Sequence, residues 1–122
     1  MAKFMPDANI DAMLVLSEGD EVHVCAGQPT TAVEATTTFQ LASQAIGGAN
    51  YAKANGDASG RKNTLTPPTG TAIDNTGTAD HVAVTSGTGT TLELVTTVTA
   101  QALTSGGTVD IGAFDHEIGD LA

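Results

Sequence analysis

The chain has 122 residues, 4 Lys+Arg against 14 Asp+Glu for a formal charge of −10, and only 3% aromatic residues. That length suits a single domain whose core is built from Val, Leu, Ile and Ala rather than from rings. The acidic balance excludes a binder of nucleic-acid phosphates, which needs a basic face, and no stretch approaches the roughly 18 apolar residues of a membrane span.

Met1 to Pro6 reads as an N-terminal arm ahead of a β-rich domain over 7–122. It lacks the apolar run of a secretion signal, so synthesis in the cytoplasm is expected. Asp7 to Ser17 predicts a helix: Ile10, Met13 and Leu14 fall at i, i+3 and i+4, with Asp7 or Asn9 as cap. Glu21 to Ala26 alternates as a strand, with Val22, Val24 and Ala26 on one face and His23 and Cys25 on the other. Thr31-Ala32-Val33-Glu34 matches the capping box of a short helix. Phe39, Leu41 and Ser43 then alternate as a strand.

Gly47 to Gly60, with Gly47-Gly48, Asn55-Gly56 and Ser59-Gly60, predicts a long surface loop or arm. Short strands follow at Arg61–Thr66, Thr71–Asp74 and Asp80–Thr85, the last with Val82 and Val84 inward. Thr91–Thr99 is expected to carry Leu92 and Leu94 on one face, with a bulge near Thr96 where Val95 and Val98 break the alternation. Val109, Ile111 and Ala113 form the next inward set, and Phe114 to Ile118 continues it after a phase shift. Strands at this spacing with Gly- and Thr-rich turns predict an all-β fold, a sandwich or small barrel, with one or two short helices in the N-terminal third.

Few residues suggest chemistry. Asp115-His116-Glu117 with Asp120 has metal-ligand side chains, but its spacing matches no EF-hand or His-Glu-x-x-His helix, and an acidic, solvated tail is the plainer expectation. Asp57 and Asp74 have the oxygen ligands of a calcium site but no spacing that joins them. His23 and Cys25 are neighbours on one strand face, yet nothing local marks the electropositive setting that a reactive thiolate needs. One cysteine makes neither an intrachain disulfide nor a cysteine-based zinc site. There is no phosphate loop. No catalytic residue, cofactor or metal is expected. Arg61-Lys62, the only adjacent basic pair, is expected to meet acidic groups of its own domain or of a neighbouring subunit.

Several segments carry a resemblance. AGQPTTAVEATTTFQLAS, GDASGRKNTLTPPTGTAIDNTGTADHVAV and TTLELVTTVTAQALTSGGTVDIGAFDHEIGD resemble a family of small virion structural proteins of tailed bacteriophages. The matching positions are Cys25 to Pro29, Gly60-Arg61-Lys62, Gly77 to His81, Leu92-Glu93-Leu94 and Phe114 to Asp120, covering most of the chain from about Asp7. The resemblance implies a capsid decoration (cement) protein on the head exterior, bound to the major capsid protein and stabilising it. Self-association, with a trimer at a three-fold position, fits such a role. Phe4 and Met5 of the arm, and Arg61 and Lys62, are the expected partner contacts. The alternatives are a neck, tail or baseplate accessory protein, or a host-surface adhesin binding glycan through 47–60 around Tyr51. Neither nucleic acid nor membrane is an expected partner.

Overall fold

The structure, a computed structural model, describes residues 6–16, 18–57 and 60–118. Phe4 and Met5 lie outside them. The fold is all-β with one α-helix near the N-terminus, α1 (Asp7–Leu16), and strands β1 (Glu21–Cys25), β2 (Gln40–Ala45), β3 (Tyr51–Asn55), β4 (Arg61–Leu65), β5 (Thr71–Ala72), β6 (Gly77–Ser86), β7 (Thr91–Leu103), β8 (Thr108–Val109) and β9 (Phe114–Ile118). They form a four-stranded sheet of order β2-β1-β6-β7, a three-stranded sheet β3-β4-β9 and a β5-β8 ribbon. All the pairings are antiparallel.

The core lies between the sheets, in a sandwich-like arrangement. Val22 and Val24 stand opposite Val84 and Val82, and these valines pack with Leu65, Ile73, Leu103 and Ile111, joined by Tyr51 and Phe114. Each fully buried Val or Leu side chain contributes roughly 1.5–3 kcal/mol. The other face of the large sheet is covered too. Cys25 and Ala83 pack there with Ala35, flanked by Phe39, Leu92 and Val95. Helix α1 lies against β4 and β9, inserting Ile10 and Leu14 while Met13 stays 43% exposed.

Local chemistry explains several departures from the expected pattern. The carbonyl of Pro6 accepts the amides of Asn9 and Ile10, so Asp7 sits inside the first turn, where its charge favours the helix dipole. The Thr31–Glu34 box forms with a shift of one residue. Thr31 Oγ1 accepts the Glu34 amide at 3.2 Å, while the Glu34 carboxylate accepts the Thr30 amide at 2.9 Å and the Thr30 hydroxyl at 2.7 Å. The helix it opens is a π-helix, Glu34–Thr38.

The expected loop 47–60 contains a strand. After a 3-10 turn at Gly48–Asn50, β3 pairs along its whole length with β4, and the Gly56 amide donates to the Gly60 carbonyl at 2.9 Å to close the hairpin. Three turn dipeptides hid a five-residue strand between them. Leu92 and Leu94 do not share a face: Leu94 pairs with Val84 and Leu92 with Thr85, so Glu93 is bulged and Leu92 points to the opposite side. A second irregularity sets Val98 to Ala100 against Asp80, so the bulges flank Thr96 rather than coincide with it. Asp115 to Glu117 belongs to β9 and is not a free tail.

Candidate interaction surface

The groups with chemical potential are engaged inside the fold. His23 sits between Ser43 and Ala83, whose small side chains leave room for its ring. It is 1% exposed, with Nδ1 2.7 Å from Gln40 Oε1 and Nε2 2.8 Å from Thr85 Oγ1. Glu21 Oε1 lies 3.3 Å from the same Nε2. Cys25 is fully buried, its thiol 3.8 Å from the Ala35 carbonyl. Burial, reinforced by the charge of Asp80, pushes that thiol up to about 11. A protonated, covered thiol is a poor nucleophile. Asp80 binds His81 Nδ1 at 2.8 Å and accepts the Gly27 amide at 2.7 Å, and both bonds hold its carboxyl below the usual range.

Three Lys and Arg side chains fall among the described residues, and each is neutralised by its own chain. Arg61 clamps Asp11 of α1 through Nε at 2.9 Å and Nη2 at 3.2 Å. Lys62 reaches Asp57 at 2.8 Å and Asp115 at 3.4 Å. Lys53 meets Glu18 at 2.7 Å, and the same carboxylate oxygen accepts the amide of buried Asn63 at 2.8 Å. Arg61 and Lys62 therefore tie the helix, the β3–β4 turn and β9 to β4. Tyr51, at the centre of the glycan reading, packs against the core with its hydroxyl accepting the Gly19 amide at 3.0 Å. Along β9, Asp115 and Glu117 share one face and His116 lies on the other, so the imidazole does not converge with the two carboxylates. No group of three or more His, Cys, Asp or Glu among the described residues is placed to hold a metal.

The surface feature that stands apart is an edge. Exposed strand edges are templates for pairing, and proteins usually shorten, charge or cover them. The outer edge of β2 is covered. The Asp74 and Asn75 amides donate to the Leu41 carbonyl at 2.8 and 3.1 Å, the Asn75 side chain donates to the Gln40 carbonyl at 2.9 Å, and Ile73 bridges Ala42. β3 and β9 are five residues each and carry Lys53 or Asp115, His116 and Glu117. β7 runs for 13 residues and has no strand on its outer side among the described residues. From Leu94 through Val109 the sequence holds no charged residue.

Behind this edge the sandwich is open. A groove of about 450 Å³ lies between β7 and the 109–114 segment. Val24, Val82 and Leu103 line it, with Val98 on the β7 side and Ile111 and Phe114 on the other. Val98 is 38% exposed, and Thr97 to Ala102 are all exposed around it. Asp110 also lines the groove, its carboxylate accepting the Gly70 amide at 2.7 Å. The bulge over Val98–Ala100 interrupts the strand there. The face consequently presents side chains as well as backbone. Sequence reasoning marked a bulge nearby but not this surface, since an uncharged run does not mark one by itself: residues 35–52 form a longer run.

Compared with known proteins, the chain matches no family model, no curated protein and no solved structure.

Proposed function

We propose that this chain is a structural component of a tailed-phage virion, a decoration protein that binds the major capsid protein on the head exterior and stabilises the shell. The observation that carries the reading is the open side at β7, uncharged from Leu94 through Val109, in a chain of charge −10. Such a surface suits protein–protein docking rather than catalysis. The buried, bonded state of His23 and Cys25 supports a role in binding, and the resemblance of the motif order to phage virion proteins supplies the setting. A dense acidic exterior keeps many copies soluble and apart outside their contacts.

Copy number on purified particles tests the proposal. Quantitative mass spectrometry is expected to find hundreds of copies per particle, scaling with the major capsid protein. Tens of copies or fewer would instead make the chain a neck, tail or baseplate part, and absence from particles would overturn the virion reading altogether.

A further inference from the structure

We infer that Lys53, Asn63 and Glu18 form a self-modification site, at which the Lys53 amine and the Asn63 carboxamide join in an intramolecular isopeptide bond between β3 and β4. Neither the virion reading nor the β7 surface is needed for it.

Strand register builds the trio. Lys53 and Asn63 are direct partners in the β3–β4 ladder, so their side chains share one face of the sheet. The neighbouring row on that face, Tyr51, Leu65 and Phe114, packs into the core. The row on the other side holds Arg61, clamped to Asp11 of α1. The pair is therefore enclosed between the apolar core and the helix. Asn63 is 3% exposed, and the side chains of Lys53 and Glu18 are 27% and 18% exposed. Glu18 reaches them from the connection between α1 and β1. Its amide donates to the Val15 carbonyl at 3.0 Å, and the next amide, of Gly19, donates to the Tyr51 hydroxyl at 3.0 Å.

One oxygen, Glu18 Oε2, accepts both Lys53 Nζ at 2.7 Å and Asn63 Nδ2 at 2.8 Å. That shared acceptor holds an amine beside the carboxamide whose carbon it would attack, with a base touching both the nucleophile and the leaving group. Bonding to a carboxylate also fixes the amide orientation, since only Nδ2 can donate. Asn63 Oδ1 is thereby turned away, buried and without a hydrogen-bond partner among the described residues. An unpaired buried acceptor is costly, which makes Asn63 the member with most to gain from reaction.

The step needs no oxidant and no cofactor. Glu18 takes a proton from the Lys53 ammonium, and the freed lone pair of Nζ attacks Asn63 Cγ. A second Nζ proton passes through the carboxyl group to Nδ2, the Cγ–Nδ2 bond breaks and ammonia leaves. The new Nζ–Cγ amide keeps one hydrogen on nitrogen. The first proton stays on Glu18, which becomes a donor for the carbonyl oxygen that lacked one.

Mass spectrometry of the purified full chain after prolonged incubation tests this. The expected result is a loss of one ammonia, with a proteolytic fragment in which Lys53 is joined to Asn63. Glu18→Gln is expected to slow bond formation at least about 100-fold, the usual contribution of a general acid–base. Lys53→Arg keeps the positive charge but is expected to give no linked fragment. Circular dichroism verifies the fold of each variant, and the unaltered chain decides the matter even where a variant fails to fold. A chain of full mass with no linked fragment would overturn the inference. Ammonia lost equally from Lys53→Arg would also overturn it, placing the reaction elsewhere, as at Asn55-Gly56. A bond that forms as fast in a folded Glu18→Gln chain would overturn the assignment of Glu18 as the base.

Discussion

Cys25 shows how burial decides what a residue can do. A position two residues from His23 on one strand face suggests a reactive pair, but the two side chains are bonded separately: the imidazole bonds Gln40 and Thr85, while the thiol faces the carbonyl of Ala35. A thiol reagent at pH 8 is expected to label the native chain far more slowly than the denatured one, and rapid labelling of folded protein would contradict that burial. The folded thiol titrates near 11, against 9.0 for an ordinary one. The folded state therefore holds its proton over a range where the unfolded chain releases it. Its contribution is complete below pH 9 and is lost as the pH rises toward 11. Denaturant midpoints should fall across that window, and Cys25→Ser should flatten the fall. Gly19 is constrained differently, since a Cβ there would collide with the Thr85 carbonyl and the Val84 side chain. Gly19→Ala is expected to cost about 1–3 kcal/mol by overpacking, measurable by urea unfolding.

Elements were legible where one periodicity dominated. The valines of β1 and β6 alternate without interruption, and the structure pairs them as that alternation requires. Helix α1 was readable from Ile10 and Leu14, although Met13, at helical spacing, faces outward. The distinction is testable. Leu14→Ala should cost about 2–5 kcal/mol, whereas Met13→Ala should stay within about 0.5 kcal/mol. Equal losses would mean that the helix docks in another orientation. β3 was illegible because Tyr51-Ala52-Lys53-Ala54-Asn55 has little strand propensity of its own. Long-range pairing with β4 and the Tyr51–Gly19 bond hold it in place. β7 was only half legible, because its two bulges are set by pairing with β6 and reassign Leu92 to the opposite face. The interaction surface was hidden for a related reason. A missing charge becomes informative only once the topology shows that the strand is an edge.

At the scale of the whole molecule, charge sets the conditions. Several carboxylates are held below their ordinary range: Asp11 by the Arg61 clamp, Glu34 by Thr30, Asp80 by His81 and Asp115 by Thr64. Each contributes stability that is present above the ordinary carboxylate range and lost as the pH falls through the lowered folded value. Against this, the excess of acidic groups repels itself at neutral pH. Added salt at pH 7 should therefore stabilise the fold, by about 1 kcal/mol or several degrees in Tm. A Tm that falls with salt would mean that the ion pairs of Arg61, Lys62 and Lys53 outweigh the repulsion.

Hydrogen exchange along β7 tests the central claim, that its open side is the docking surface, most directly. Amides of Thr96 to Ala102 that point away from β6 should exchange quickly in the free chain and become protected when it is bound to purified capsids, together with residues 109–114 across the groove. Protection elsewhere, with β7 exchanging as quickly on capsids as in the free chain, would contradict the account.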